Sequence, residues 1–109
     1  MVESFWILQI ETPQFTSGGV VMFINGKVFG GDSGFTWVGS YQADERLIKA
    51  RVRVHNFDPK VQNILGVSGN DYEMHLSGNV RGDTITGTAI VANQPQYSLG
   101  IRLIKHANL

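Results

Sequence analysis

The chain contains no cysteine, which removes disulfides, thiol nucleophiles and Cys-ligated zinc. It has no surplus of either charge, since 9 Lys+Arg balance 9 Asp+Glu in 109 residues. That balance is the wrong composition for direct electrostatic binding of nucleic acid, and equally for an acidic tail or a polybasic membrane anchor. Long hydrophobic runs are missing too. The longest, residues 5–8 and 20–24, fall far short of the roughly 20 that a membrane-spanning helix needs. The opening Met1-Val2-Glu3-Ser4 has no basic stretch of the secretory type, so a cytoplasmic protein without membrane association is expected. Charged residues make up 17% and hydrophobic ones 42%, the balance of a globular chain rather than a disordered one. The length suits a single domain over residues 1–109 with one core.

Proline is scarce at 3 while glycine reaches 13, and the glycines punctuate short apolar runs at fairly even intervals, an all-β pattern. Strands are expected at residues 5–11, 19–24, 27–30, 35–42, 47–55, 71–77, 84–91 and 98–105. The clearest is 47–55, where Ile48, Ala50, Val52 and Val54 alternate with Lys49, Arg51, Arg53 and His55. A period of two with one apolar and one cationic face marks a half-buried strand. Tyr72, Met74 and Leu76 alternate in the same way with Asp71, Glu73, His75 and Ser77. Between residues 24 and 27, Asn25-Gly26 supplies two residues that tolerate positive φ, the signal of a type I′ hairpin.

Residues 56–70 are too long for a hairpin loop. Asp58-Pro59 reads as a helix start and Gly66 as its stop, with Val61, Ile64 and Leu65 on one face. One short helix is expected there, as a lid. Eight hairpin-connected strands with one apolar face each can close into an antiparallel up-and-down barrel, which leaves no free sheet edge. A two-sheet sandwich satisfies the same periodicity.

Several motifs read more simply as structure than as chemistry. Gly31-Asp32-Ser33-Gly34 spells the tetrapeptide around the nucleophile of trypsin-like proteases, but no histidine precedes Ser33 to act as base. Arg81-Gly82-Asp83 places Gly-Asp where a hairpin turn is wanted. His55, His75 and His106 lack the spacing of a catalytic zinc site, so no metal and no cofactor are expected. The cationic ladder at 49–55 could hold an anion. An antiparallel neighbour at 71–77 would answer it instead, setting Arg53 opposite Glu73 and His55 opposite Asp71. Asp44-Glu45 lies in a loop between two good strands. Adjacent acids on one loop point apart, so they suit a contact loop better than acid–base catalysis. No enzymatic role is expected.

Two further sets follow from the strand faces. Trp6, Leu8, Trp37, Tyr41, Tyr72 and Met74 fall on inward faces and would line a barrel interior suited to a small hydrophobic ligand. Phe5, Ile7, Val21 and Phe23 fall on faces read as outward, and their clustering predicts an apolar contact between copies in a homodimer.

The run Gly18-Gly19-Val20-Val21-Met22-Phe23-Ile24-Asn25-Gly26-Lys27-Val28-Phe29-Gly30-Gly31-Asp32-Ser33, followed by Trp37-Val38-Gly39-Ser40-Tyr41, resembles the GrlR family of small bacterial proteins. Its founding members repress type III secretion genes. The shared pattern is a glycine strand, an Asn-Gly hairpin, a Gly-Gly-Asp turn and an aromatic-x-Gly strand. It extends weakly through the strands at 47–55 and 71–78 to the C-terminus. The resemblance implies a calycin-like (lipocalin-like) eight-stranded barrel with an apolar cavity, forming a dimer and acting by contact with a transcriptional activator rather than with DNA. It also implies a partner-binding loop of acidic residues. The matching positions are Ala43, Asp44, Glu45 and Arg46, where only the middle two are acidic.

Overall fold

A computed structural model describes residues 2–11, 16–61, 65, 67 and 70–109. Eight antiparallel strands form one closed barrel in simple chain order. They are β1 (Ser4–Glu11), β2 (Thr16–Ile24), β3 (Lys27–Gly31), β4 (Phe35–Ala43), β5 (Leu47–Asn56), β6 (Asp71–Arg81), β7 (Thr84–Val91) and β8 (Gln94–Ala107). Closure comes from β1 pairing with β8, with Ile7 opposite Ile104 and Leu8 opposite Leu103. Pairing around the full ring satisfies every strand edge, as an eight-strand up-and-down barrel requires.

The turns follow from their residues. Asn25 and Gly26 both take positive φ, 50° and 76°, the I′ geometry whose twist matches the flanking strands. Gly82 supplies φ 60° at the first central position of the β6–β7 turn. β8 begins at Gln94, earlier than residue 98, because a register shift at Ile90/Val91 lets the strand carry Pro95, a residue tolerated at such irregularities.

The two ends of the barrel differ. At one end the fully buried side chains of Trp6, Phe23, Ile48, Ile85 and Leu103 pack together. Trp6 meets Phe23 edge-on at 6.3 Å, and Phe23 meets Tyr41 at 4.9 Å. Val2 folds over this end, 5% exposed, and its carbonyl accepts a 2.8 Å hydrogen bond from the Trp6 indole. The other end carries the β3–β4 turn and the long β5–β6 connection.

That connection contains no helix among the described residues. Asp58 behaves as a cap: its carboxylate accepts from the Lys60 amide at 3.0 Å, and its carbonyl accepts from Val61 at 3.0 Å. This closes one turn. Ile64 and Gly66, on which the expected helix also rested, lie outside the described residues. Asn56 organises the segment by accepting from the Asp58 amide and donating to the Val61 carbonyl.

Candidate functional site

The interior above the packed end is a cavity of about 790 Å³, within the roughly 300–1,000 Å³ range of small-molecule sites. Phe23 and Leu103 form its floor. Its walls include Leu8, Val28, Trp37, Val54, Met74 and Ile101, and its far end is lined by Asp32, Ser33, Val61 and Leu65. Small residues keep it open: Ala50 on β5 and Ala89 on β7 both face it.

The position of Trp37 matters most. In register it sits opposite Gly30. Its indole lies along the wall over Gly30 and Gly19: a Cβ added at Gly19 would stand 2.9 Å from the ring, and one at Gly30 would collide with the indole nitrogen. That nitrogen donates to the Val20 carbonyl at 3.1 Å. Two glycines thus let the largest side chain on this wall lie flat instead of crossing the lumen.

Residues 32–34 and 57–61 meet at the far end. Asp32 accepts from the Gly34 and Phe35 amides, both at 2.9 Å, and so builds the β3–β4 turn. The Phe57 amide donates to the Gly34 carbonyl at 3.0 Å. A Cβ on Gly34 would come within 2.5 Å of Val61, so only glycine lets the long connection seat here. The tetrapeptide at 31–34 is therefore a turn and a docking point for that connection.

Of the side chains expected to line the interior, Leu8, Trp37, Tyr72 and Met74 do so. Trp6 and Tyr41 do not line this cavity; they belong to the aromatic packing beneath the floor, because both sit near the end that Val2 covers. Strand parity also corrects the expected dimer surface. Trp6 pairs with Val21, and side chains of directly paired residues share a face. Val21 and Phe23 therefore point inward, 5% and 1% exposed, and both line the cavity. Phe5 and Ile7 stay on the outer face, half-buried. Their outward neighbours are Met22 and Val20, and Met22 leads on to Phe29 and Val38. Val20, Phe29 and Val38 are 38%, 39% and 48% exposed. Both faces of β2 are apolar, so alternation alone could not orient it. The run of Gly19, Val21 and Phe23 opposite Leu8 and Trp6 was the available signal.

In the acidic loop one carboxylate is used to build the turn. Asp44 accepts from the Arg46 and Leu47 amides, each at 2.8 Å, and these bonds hold its carboxyl below the usual carboxylate range. Asp44 is thus a turn-building residue, and it is exposed together with Ala43, Glu45 and Arg46. On the β5–β6 outer face, the register sets Arg53 opposite Glu73 and His55 opposite Asp71. His55 contacts Asp71 at 2.7 Å. Glu73 instead takes His75 at 2.7 Å and Arg51 at 3.5 Å, so its ion pair runs diagonally to Arg51 and not straight across to Arg53. Among the described residues no cluster of His, Asp and Glu is arranged to hold a metal, and no helix is long and apolar enough to cross a membrane.

Fold and interior together define the class: a closed eight-stranded antiparallel barrel with an apolar internal cavity. No protein-family model matches the chain, and no curated protein matches it significantly.

Proposed function

We propose that this protein is a non-catalytic barrel that binds a small apolar molecule in its interior. The observation that carries the reading is the cavity of about 790 Å³ above the Phe23–Leu103 floor. An eight-stranded barrel can fill its interior with side chains or keep room for one ligand. Here the largest wall residue is laid flat on glycines, and alanines face the lumen. In this reading the protein works in the cytoplasm. Its outer β5–β6 face, with Lys49, Arg51, Arg53, Asp71 and Glu73, suits water rather than the apolar belt of a lipid-facing barrel.

The test is titration with N-phenyl-1-naphthylamine, a neutral apolar probe, together with native mass spectrometry of freshly purified protein. Saturable binding of one probe per barrel, abolished by filling the lumen with Ala89→Trp, is expected. A folded wild-type barrel that takes up neither probe nor native ligand overturns the reading.

A second reading, regulation by protein contact in the manner of the GrlR family, is favoured by the outer apolar stripe of Val20, Phe29 and Val38. The contact surface would then be this stripe, extended by Phe5 and Ile7, and the partner a second copy or a transcriptional activator. Analytical ultracentrifugation tests the homodimer: Val38→Glu should shift it to monomer, and a wild-type monomer at tens of micromolar removes it.

A further inference from the structure

Resting on the ligand-binding reading, we infer that the cavity selects apolar chains with an uncharged polar end and rejects those ending in a carboxylate. The charge inventory of its lining carries this. Among the described residues, no Lys, Arg or His lines the cavity, and Asp32 is the one charged residue that does. The residues outside the described set are Met1, Thr12, Pro13, Gln14, Phe15, Gln62, Asn63, Ile64, Gly66, Ser68 and Gly69, none of them with a cationic side chain. Two basic side chains at the β5–β6 connection stay out of the lining: His55 contacts Asp71 on the outer face at 2.7 Å, and Lys60 is exposed.

A carboxylate drawn in behind its alkyl chain would lose water and gain no counter-charge, a costly exchange in an apolar interior. At the far end it would also meet Asp32, whose negative charge is held in place by the Gly34 and Phe35 amides at 2.9 Å. A hydroxyl end suffers neither penalty. Ser33, exposed beside Asp32, offers a neutral hydroxyl as donor or acceptor. The wall indole cannot serve as donor, since its N–H already bonds Val20.

The probes are 1-decanol and decanoate, matched in chain length, titrated calorimetrically into the full chain at about pH 8, where a carboxyl of ordinary pKa is ionised. Decanol should bind at least about tenfold more tightly, a ratio worth roughly 1.4 kcal/mol. Asp32→Asn keeps an acceptor for both amides and removes the charge, so it should narrow the ratio severalfold. Ser33→Lys, which places a cation at the far end, should narrow it further or invert it. Equal or tighter binding of decanoate by the wild type overturns the charge selection and leaves the ligand-binding reading standing. Failure of both probes to bind a folded barrel overturns the two together.

Discussion

The Trp37 indole spans from β4 to the β2 backbone, donating a 3.1 Å hydrogen bond to the Val20 carbonyl across the side-chain-free surface of Gly30. One aromatic residue thereby closes the wall and leaves the lumen free. Gly30→Ala should undo this. The new methyl would collide with both the indole nitrogen and the Val20 carbonyl, and overpacking of this kind costs typically about 1–3 kcal/mol. Thermal unfolding should show the loss, and near-ultraviolet circular dichroism should show the indole displaced. Probe uptake should fall as the ring swings into the cavity.

Phe23 and Val38 separate packing from surface. Phe23 is 1% exposed and Val38 is 48% exposed. Phe23→Glu should destabilise the fold by at least about 3 kcal/mol, as a charge is forced into the aromatic packing without a partner. Val38→Glu should change stability by no more than about 0.5 kcal/mol. Urea unfolding of the two variants decides this, and similar losses for both would refute the assigned faces.

Ile85 is 0% exposed in the packed end. Ile85→Ala should cost about 2–5 kcal/mol through lost transfer energy and a residual void, measured as a lowered urea midpoint. Because Ile85 lies outside the cavity lining, probe affinity of the folded variant should stay close to wild type.

Asp44 and Glu45 should behave differently although they are neighbours. Asp44→Ala removes the acceptor for two amides, so hydrogen exchange at Arg46 and Leu47 should speed up while the barrel persists. Glu45→Ala should leave those amides unchanged.

Glu73 is held below the ordinary carboxylate range, first by the hydrogen bond from His75 and then by the charges of Arg51, His75 and Arg53, with some opposition from desolvation. A carboxyl whose pKa is depressed by folding favours the folded state above its unfolded value, and that contribution is lost as pH falls through the folded value. Its effect therefore belongs to the acid side, below the usual carboxylate range of about 4.3, and is absent from any change near neutrality. In a carboxylate NMR titration, His75→Ala should raise the Glu73 pKa more than Arg53→Ala does.

Much of the barrel was legible in the chain. Ile48, Ala50, Val52 and Val54 against Lys49, Arg51 and Arg53 could be oriented from sequence, because a period of two with opposite polarities leaves one inward choice. Asn25-Gly26 announced its hairpin because few other residues accept positive φ twice in succession. The same local chemistry set Arg53 opposite Glu73 and His55 opposite Asp71. What the pattern could not orient was β2, where Val20, Val21, Met22, Phe23 and Ile24 are apolar on both sides. Only pairing with β1, whose Trp6 and Leu8 face inward, turned Val21 and Phe23 into the core and left Val20 and Met22 outside.

The cavity itself was decided by tertiary structure. Sequence identified an inward set of Trp6, Leu8, Trp37, Tyr41, Tyr72 and Met74, but inward is not the same as facing empty space. Val2 folds over one end and packs Trp6 and Tyr41 with Phe23 into a solid floor, while Gly19 and Gly30 lay Trp37 against the wall and keep the rest of the barrel open. The period of two fixes which side of a strand is buried. Whether buried side chains meet or leave a gap depends on residues far apart in sequence, such as Val20 and Trp37, which only closure of the barrel brings into contact.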